Sequence, residues 1–204
     1  MNPMLSADLQ RDLVLASTSP RRVAILRMLD FDFETVAAPI AEEEHGLADP
    51  EPHVLQLARL KAQAARTHRA RGVLIGADTV VAIGGEILEK PTSHAEALVM
   101  QKRLRGQWHT VFTGVALVDA ATGRHAAAAE RTEVHFQTWD DAFLERYVAT
   151  GEGMDKAGAY AIQGLGALLV REIRGCYFNV MGFPVGCFVR LLERFHVPEA
   201  TRGG

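Results

Sequence analysis

The chain has 204 residues, 48% hydrophobic and 23% charged, with a formal net charge of −3. These values exclude a disordered or fibrous protein, and the length suits one large domain or two small ones. The slight negative charge argues against broad nucleic-acid or anionic-membrane binding, and Cys176 and Cys187 are too few for a disulfide framework or a cysteine zinc site.

Residues 1–12 read as an N-terminal extension, charged and without an apolar stretch. No later apolar run is long enough to cross a bilayer, so a cytoplasmic protein with no membrane partner is expected. Leu13-Val14-Leu15-Ala16 is a short apolar run that predicts a buried strand. Ser17 to Arg22 then form a loop into a helix, with Pro20 in its first turn and Ile25, Met28 and Leu29 on its apolar face. Phe31 to Ile40 alternates weakly and predicts a second strand. A helix is expected over Pro52 to Arg69, with Val54, Leu55, Ala58, Ala62 and Ala65 on one side. Val73 to Ala77 is the next buried strand, running into Asp78-Thr79-Val80-Val81. Gly84-Gly85 signals a hairpin, with Glu86 to Glu89 returning and Lys90-Pro91 ending it.

Ser93-His94-Ala95-Glu96 is a capping box that opens a helix to about Arg105. Strands are predicted at Val111 to Val118 and Thr132 to Thr138. Asp140 caps a helix carrying Phe143, Leu144, Tyr147 and Val148. Gly151 to Gly166 holds five glycines without a clear period and predicts a long loop of functional character. Leu168 to Val170 and Tyr177 to Val180 are expected as the last strands. Pro184 opens a final helix with Phe188, Leu191, Leu192 and Phe195 facing inward. Residues 13–197 thus read as one α/β domain with a mixed β-sheet and flanking helices, and residues 198–204 as a frayed tail.

No phosphate-binding lysine loop, G-x-G-x-x-G, H-E-x-x-H or G-x-S-x-G occurs. The common kinases, dehydrogenases, zincins and serine hydrolases therefore fall away. Ser17-Thr18-Ser19-Pro20-Arg21-Arg22 precedes a helix N-terminus, where backbone N–H groups, hydroxyls and guanidiniums favour phosphate. A capped helix with two solvated arginines would look the same. Asp78 closes an apolar run, so its carboxylate needs a partner or a metal unless it merely caps a turn. One of Glu42, Glu43 and Glu44 could share a divalent cation with it, although such a run is more often a solvated loop. Lys61 and Lys90 are solvated lysines by default, with Lys90 the better candidate beside Pro91. The eight histidines show no metal-ligand spacing and read as surface residues.

Taken in order, Leu15-Ala16-Ser17-Thr18-Ser19-Pro20-Arg21-Arg22, Gly76-Ala77-Asp78-Thr79-Val80-Val81, Glu89-Lys90-Pro91 and Asp155 to Gly164 resemble the Maf family of nucleoside triphosphate pyrophosphatases. The resemblance runs from about Leu13 to Phe195. It implies two lobes around a cleft, shaped like the inosine triphosphate pyrophosphatases. It implies hydrolysis of a nucleoside triphosphate to the monophosphate and pyrophosphate with a divalent cation, Mg or Mn, and it allows a homodimer. Thr79 and Gln163 resemble the branch acting on dTTP and UTP; the branch acting on 7-methyl-GTP typically reads Ser-Asp-Gln where this chain has Ala77-Asp78-Thr79.

The resemblance places specificity on Arg21, Thr79 and Gln163, and proton acceptance on Asp78. Ser17, Arg22, Lys61 and Lys90 join Arg21 as substrate-binding positions, and Glu42 joins Asp78 at the metal. The acidic position is open between Glu42 and Glu43. The family usually has an acidic residue before the lysine matched to Lys61; here it is Leu60. Two alternatives stand beside this expectation. One is a pyrophosphatase for 7-methyl-GTP or another modified nucleotide. The other is a nucleotide-binding regulator of cell division, which would have no need of Asp78.

Overall fold

The computed structural model describes residues 1–37 and 39–196, without the side chain of Glu43. The frayed tail expected at 198–204 lies outside the described residues. In chain order the elements are β1 (Leu13–Ala16), α1 (Pro20–Met28), β2 (Glu34–Val36), α2 (Glu42–His45), α3 (Pro50–Ala64), β3 (Val73–Ile83), β4 (Glu86–Leu88) and α4 (His94–Leu104). They continue with β5 (Trp108–Asp119), β6 (His125–Phe136), α5 (Asp141–Ala149), β7 (Val170–Arg174), α6 (Tyr177–Val180) and α7 (Val185–His196).

The seven strands form one mixed sheet in the order β2-β1-β3-β5-β6-β7, with β4 also on β3. β1 is parallel to β2 and β3, and every other pair is antiparallel. β3 organises the molecule. One of its edges pairs with β5 from Val73 to Ala82. On the other edge β1 covers only Val73 to Ile75, and β4 covers only Val81 to Ile83. Among the described residues the edge between them, from Gly76 to Val80, carries no strand partner. A break in a ladder exposes backbone donors and acceptors that something else must satisfy, and the cleft described below opens there.

Side chains alternate across β3. On one face α3 packs so closely that a Cβ at Gly76 would collide with the Ala58 carbonyl, and one at Gly114 with the Val54 carbonyl. Small residues on both sides, Ala58, Ala62 and Ala116 among them, make this approach possible. The opposite face carries two larger clusters. Leu13, Leu15 and Ile75 of the sheet pack with Ile25 and Leu26 of α1 and Phe188 and Leu192 of α7. Val81, Val111 and Phe136 pack with Leu104 of α4 and Leu144 and Tyr147 of α5. Two cores along one sheet give two lobes.

The expected helix starts are present. Ser93 accepts a hydrogen bond from Glu96 N at 3.2 Å, but the Glu96 carboxylate turns to Thr92 N and Oγ1 rather than to Ser93 N. Asp140 accepts from Phe143 N at 2.8 Å. Gly84 and Gly85 both take positive φ, 61° and 83°, as a tight hairpin requires.

Several expectations need correction. Asp78 does not end a strand; β3 continues to Ile83, because β5 pairs with it from Val73 to Ala82 and β4 pairs with Ile83. The strand expected at Phe31 to Ile40 shrinks to Glu34–Val36. Tyr177 to Val180 is a helical turn, and the last strand begins at Val170. The segment Gly151 to Gly166 is not structureless. It holds 3-10 turns at Ala157–Ala159 and from Gly164, and Glu152 accepts from Leu165 N and Gly166 N. Gln101, fully buried, donates to the carbonyls of Gly158 and Ala159 and pins that loop to α4. The histidines are not all superficial, since His53 and His109 are buried.

Candidate active site

A cleft of about 540 Å³ lies at the unpaired edge of β3. All nine residues singled out from the sequence line it: Ser17, Arg21, Arg22, Glu42, Lys61, Asp78, Thr79, Lys90 and Gln163. Each arrives for a local reason. β1 ends at Ala16, so Ser17 to Ser19 turn over the open edge, and Ser17 Oγ accepts from Ser19 N at 3.1 Å. Pro20 starts α1 without an N–H to satisfy, which leaves the N–H groups of Arg21 and Arg22 without helical acceptors. The β3–β4 hairpin brings Lys90 to the rim. The pinned glycine-rich loop brings Gln163, whose amide forms no hydrogen bond among the described residues.

Asp78 lies on the α3 face and is almost fully buried. Lys61, one turn from the end of α3, reaches it with Nζ–Oδ1 at 2.6 Å and reaches Glu42 Oε1 at 2.8 Å. One ammonium therefore bridges two carboxylates from different elements. A buried carboxylate must be paired, and this one is. The Glu43 side chain, the alternative to Glu42, lies outside the described residues.

Thr79, the next residue, faces the other side of the sheet. Arg22 meets it there and fills the broken ladder. Its Nη1 donates to Ala77 O at 2.8 Å, Nε to Gly182 O at 2.8 Å and Nη2 to Thr79 Oγ1 at 3.1 Å. Burial lowers the Arg22 pKa, and the nearby charge of Asp78 opposes that shift. Three of the five guanidinium N–H groups are thus held by protein. Arg22 ties α1, β3 and the Gly182 turn together, a role that its position beside Arg21 did not reveal.

The cleft also holds charged residues that sequence reasoning did not single out. Asp155 Oδ2 lies 3.3 Å from Arg21 Nη1, and Lys156 Nζ lies 2.5 Å from Asp155 Oδ1. Desolvation works against the Asp155 charge, but Lys156 and Arg21 outweigh it and hold the carboxyl below its usual range. Glu89 lies 3.7 Å from Nε2 of the buried His53. Desolvation pushes the Glu89 carboxyl up, His53 opposes this, and the charges of Asp78 and Glu42 add to the rise. The long motif around Asp155-Lys156 contained the signal for the first pair. His53 carried none, because a polar residue in a helix of mixed composition reads as exposed.

Residues 12–195 match the family described as Maf-like protein. The chain belongs to the Maf-like family. Curated relatives cover nearly the whole of this Maf-like chain. A protein of Desulforamulus reducens, named dTTP/UTP pyrophosphatase, is 43% identical over 187 residues, 92% of this chain and 98% of its own length. Proteins of the same name from Pelotomaculum thermopropionicum and Thermococcus kodakarensis are 43% and 46% identical, over 91% and 89% of this chain and 97% and 95% of their own. The mixed sheet with flanking helices is the α/β architecture that the resemblance implied. Among the described residues no helix is long and apolar enough to cross a membrane.

Among the described residues no group of three or more His, Cys, Asp or Glu is placed to hold a metal. The donor set near Asp78 is two carboxylates around one positive charge. Magnesium is commonly held by one or two carboxylates with substrate phosphates and water completing its shell. Asp78 and Glu42 fit that pattern.

Proposed function

We propose that this Maf-like protein hydrolyses dTTP and UTP to the nucleoside monophosphate and pyrophosphate. The observation that carries the reading is the division of labour across β3. Asp78 meets Lys61 and Glu42 on one face, while Thr79 opens on the other, and the cleft spans both around the free strand edge. The names of relatives above 40% identity support the same substrates.

The cationic groups bind the triphosphate. Arg21 and Lys90 line the cleft with the free N–H groups of the α1 N-terminus, and Lys90 forms no hydrogen bond or ion pair among the described residues. Arg22 has two N–H groups left for phosphate, and Ser17 offers a hydroxyl. Asp78 and Glu42 would hold a divalent cation, Mg or Mn, which polarises the phosphoryl group and lowers the pKa of an attacking water when bound. Asp78 Oδ1 is already engaged by Lys61, so Oδ2 is the atom that takes the proton of the water. Water attacks the α-phosphorus, the bond to the bridging oxygen breaks, and pyrophosphate leaves against Arg21 and Lys90, which offset its growing charge.

Thr79 and Gln163 read the base. The Gln163 amide donors suit a carbonyl shared by thymine and uracil, while the single imide N–H beside it suits an acceptor such as Thr79 Oγ1. Cytosine presents an amino group and an unprotonated ring nitrogen there. An unpaired buried amide costs about 1–3 kcal/mol, enough for about tenfold discrimination or more. Steady-state kinetics of Gln163→Ala on dTTP and dCTP test this. The expected result is a dTTP-over-dCTP ratio in kcat/KM that falls by about tenfold or more. An unchanged ratio would remove Gln163 from base reading.

A further inference from the structure

The polar network behind Thr79 has a direction. Thr79 Oγ1 accepts from Arg22 Nη2 at 3.1 Å, and it lies 3.0 Å from Thr113 Oγ1, its register partner on β5. Thr113 is fully buried, and its hydroxyl donates to the backbone carbonyl of Asn179 at 3.1 Å. That carbonyl can only accept. Asn179 is itself fully buried and fixed, its Nδ2 donating to Val111 O and Thr132 Oγ1, each at 3.0 Å.

A hydroxyl has one hydrogen and two lone pairs. With the Thr113 hydrogen on Asn179 O, which also receives Gly182 N at 2.9 Å, Thr79 is the donor between the two threonines. This arrangement uses the 3.0 and 3.1 Å contacts, whereas the reverse would leave Thr79 only the 3.5 Å contact to Gly182 O. Among the described residues the other acceptor that the Thr79 hydroxyl meets is Gly182 O at 3.5 Å, which already receives Arg22 Nε at 2.8 Å. With its hydrogen on Thr113 and one lone pair on Arg22, Thr79 has a single lone pair left. Facing the cleft, it can accept a hydrogen bond and cannot donate one.

We propose that Thr113 is a positioning residue for substrate choice, because it draws the Thr79 hydrogen inward and makes Thr79 an acceptor that selects bases with a ring N–H. This rests on the reading that Thr79 meets the base. Thymine and uracil carry N3–H and satisfy the acceptor. Cytosine carries an unprotonated N3, and two lone pairs would face each other. Removing the Thr113 hydroxyl frees the Thr79 hydrogen. Gly182 O, distant and already occupied, does not retain it against a ring nitrogen, so Thr79 can then donate to cytosine.

Kinetics of Thr113→Val, Thr113→Ser and Thr79→Val on dTTP and dCTP test the proposal, with thermal melting as a check on folding. Valine keeps the branched shape of threonine and removes only the hydroxyl. Thr113→Val is expected to lower the dTTP-over-dCTP ratio in kcat/KM by about tenfold, chiefly through a lower KM for dCTP. Thr113→Ser retains the hydroxyl and is expected to stay within about twofold of the wild-type ratio. A purely structural role would slow both substrates alike and leave the ratio unmoved. A folded Thr113→Val protein that keeps the full ratio, while Thr79→Val loses it, overturns the proposal. A Thr79→Val protein that keeps the ratio overturns instead the reading that Thr79 meets the base. If Thr113→Val does not fold, a Thr113→Ser protein that loses the ratio overturns the proposal, since serine preserves the hydrogen-bond chain.

Discussion

Lys61 joins Asp78 to Glu42, and the charge arithmetic of that trio explains why a carboxylate can be buried on the α3 face. Two negative charges around one positive leave a net negative spot that favours a cation or a positively polarised reacting centre. Asp78→Asn keeps the shape and removes the charge. On the proposed mechanism, in which Asp78 holds the metal and takes the proton, the expected outcome is a loss of dTTP hydrolysis by about a thousandfold or more, with the fold retained because Glu42 still pairs Lys61. Pyrophosphate release with Mg²⁺ or Mn²⁺ and a melting curve check both halves. Several residues that line the cleft were legible because they interrupt their surroundings: a carboxylate after an apolar run, two arginines after a proline, a lysine before one. What a donor is already bonded to was not. Arg22 reads from the sequence as a phosphate arm alone, and nothing there shows that Ala77 O, Gly182 O and Thr79 Oγ1 already hold three of its N–H groups.

Among the elements, β3 shows where periodicity runs out. A strand ending at Ala77 is the natural reading, because Asp78 and Thr79 break the apolar run. Pairing with β5 and β4 carries the strand six residues further, to Ile83. Tyr177 to Val180 looks like a strand by composition, yet Asn179 is drawn into a buried network and the chain turns as a helix instead. Neither outcome is encoded locally. β5 also carries His109, whose Nε2 meets Tyr160 Oη of the glycine-rich loop at 2.9 Å. Burial lowers the His109 pKa from 6.5 to about 3. As pH falls below about 6.5, the unfolded chain takes up a proton that the native imidazole refuses until about 3. Stability at neutral pH is therefore lost across that window, with a slope approaching about 1.4 kcal/mol per pH unit from this group alone. Urea denaturation of wild type and His109→Gln at pH 7, 6 and 5 measures it. The stability advantage of the wild type should shrink as pH falls; a constant gap would mean that His109 is not held neutral.

For the whole molecule, two cores on one face of a shared sheet, with α3 covering the other, leave a cleft where the β3 edge is unpaired. The mixed α/β class was visible in the alternation of strand and helix patterns, and the motifs pointed to one cleft. The break in the ladder was not visible, because it depends on β1 ending at Ala16 while β3 continues. That break lets one cleft reach both sides of the strand, with Asp78, Lys61 and Glu42 on the α3 side and Thr79 and Arg22 on the other. The most direct test of this account is pyrophosphate release from a panel of dTTP, UTP, dCTP, CTP, GTP and 7-methyl-GTP in the presence of Mg²⁺ or Mn²⁺. Monophosphate and pyrophosphate are the expected products, with kcat/KM for dTTP and UTP about tenfold or more above the others. Equal turnover of dCTP and dTTP, a preference for 7-methyl-GTP, or nucleotide binding without pyrophosphate release would contradict it.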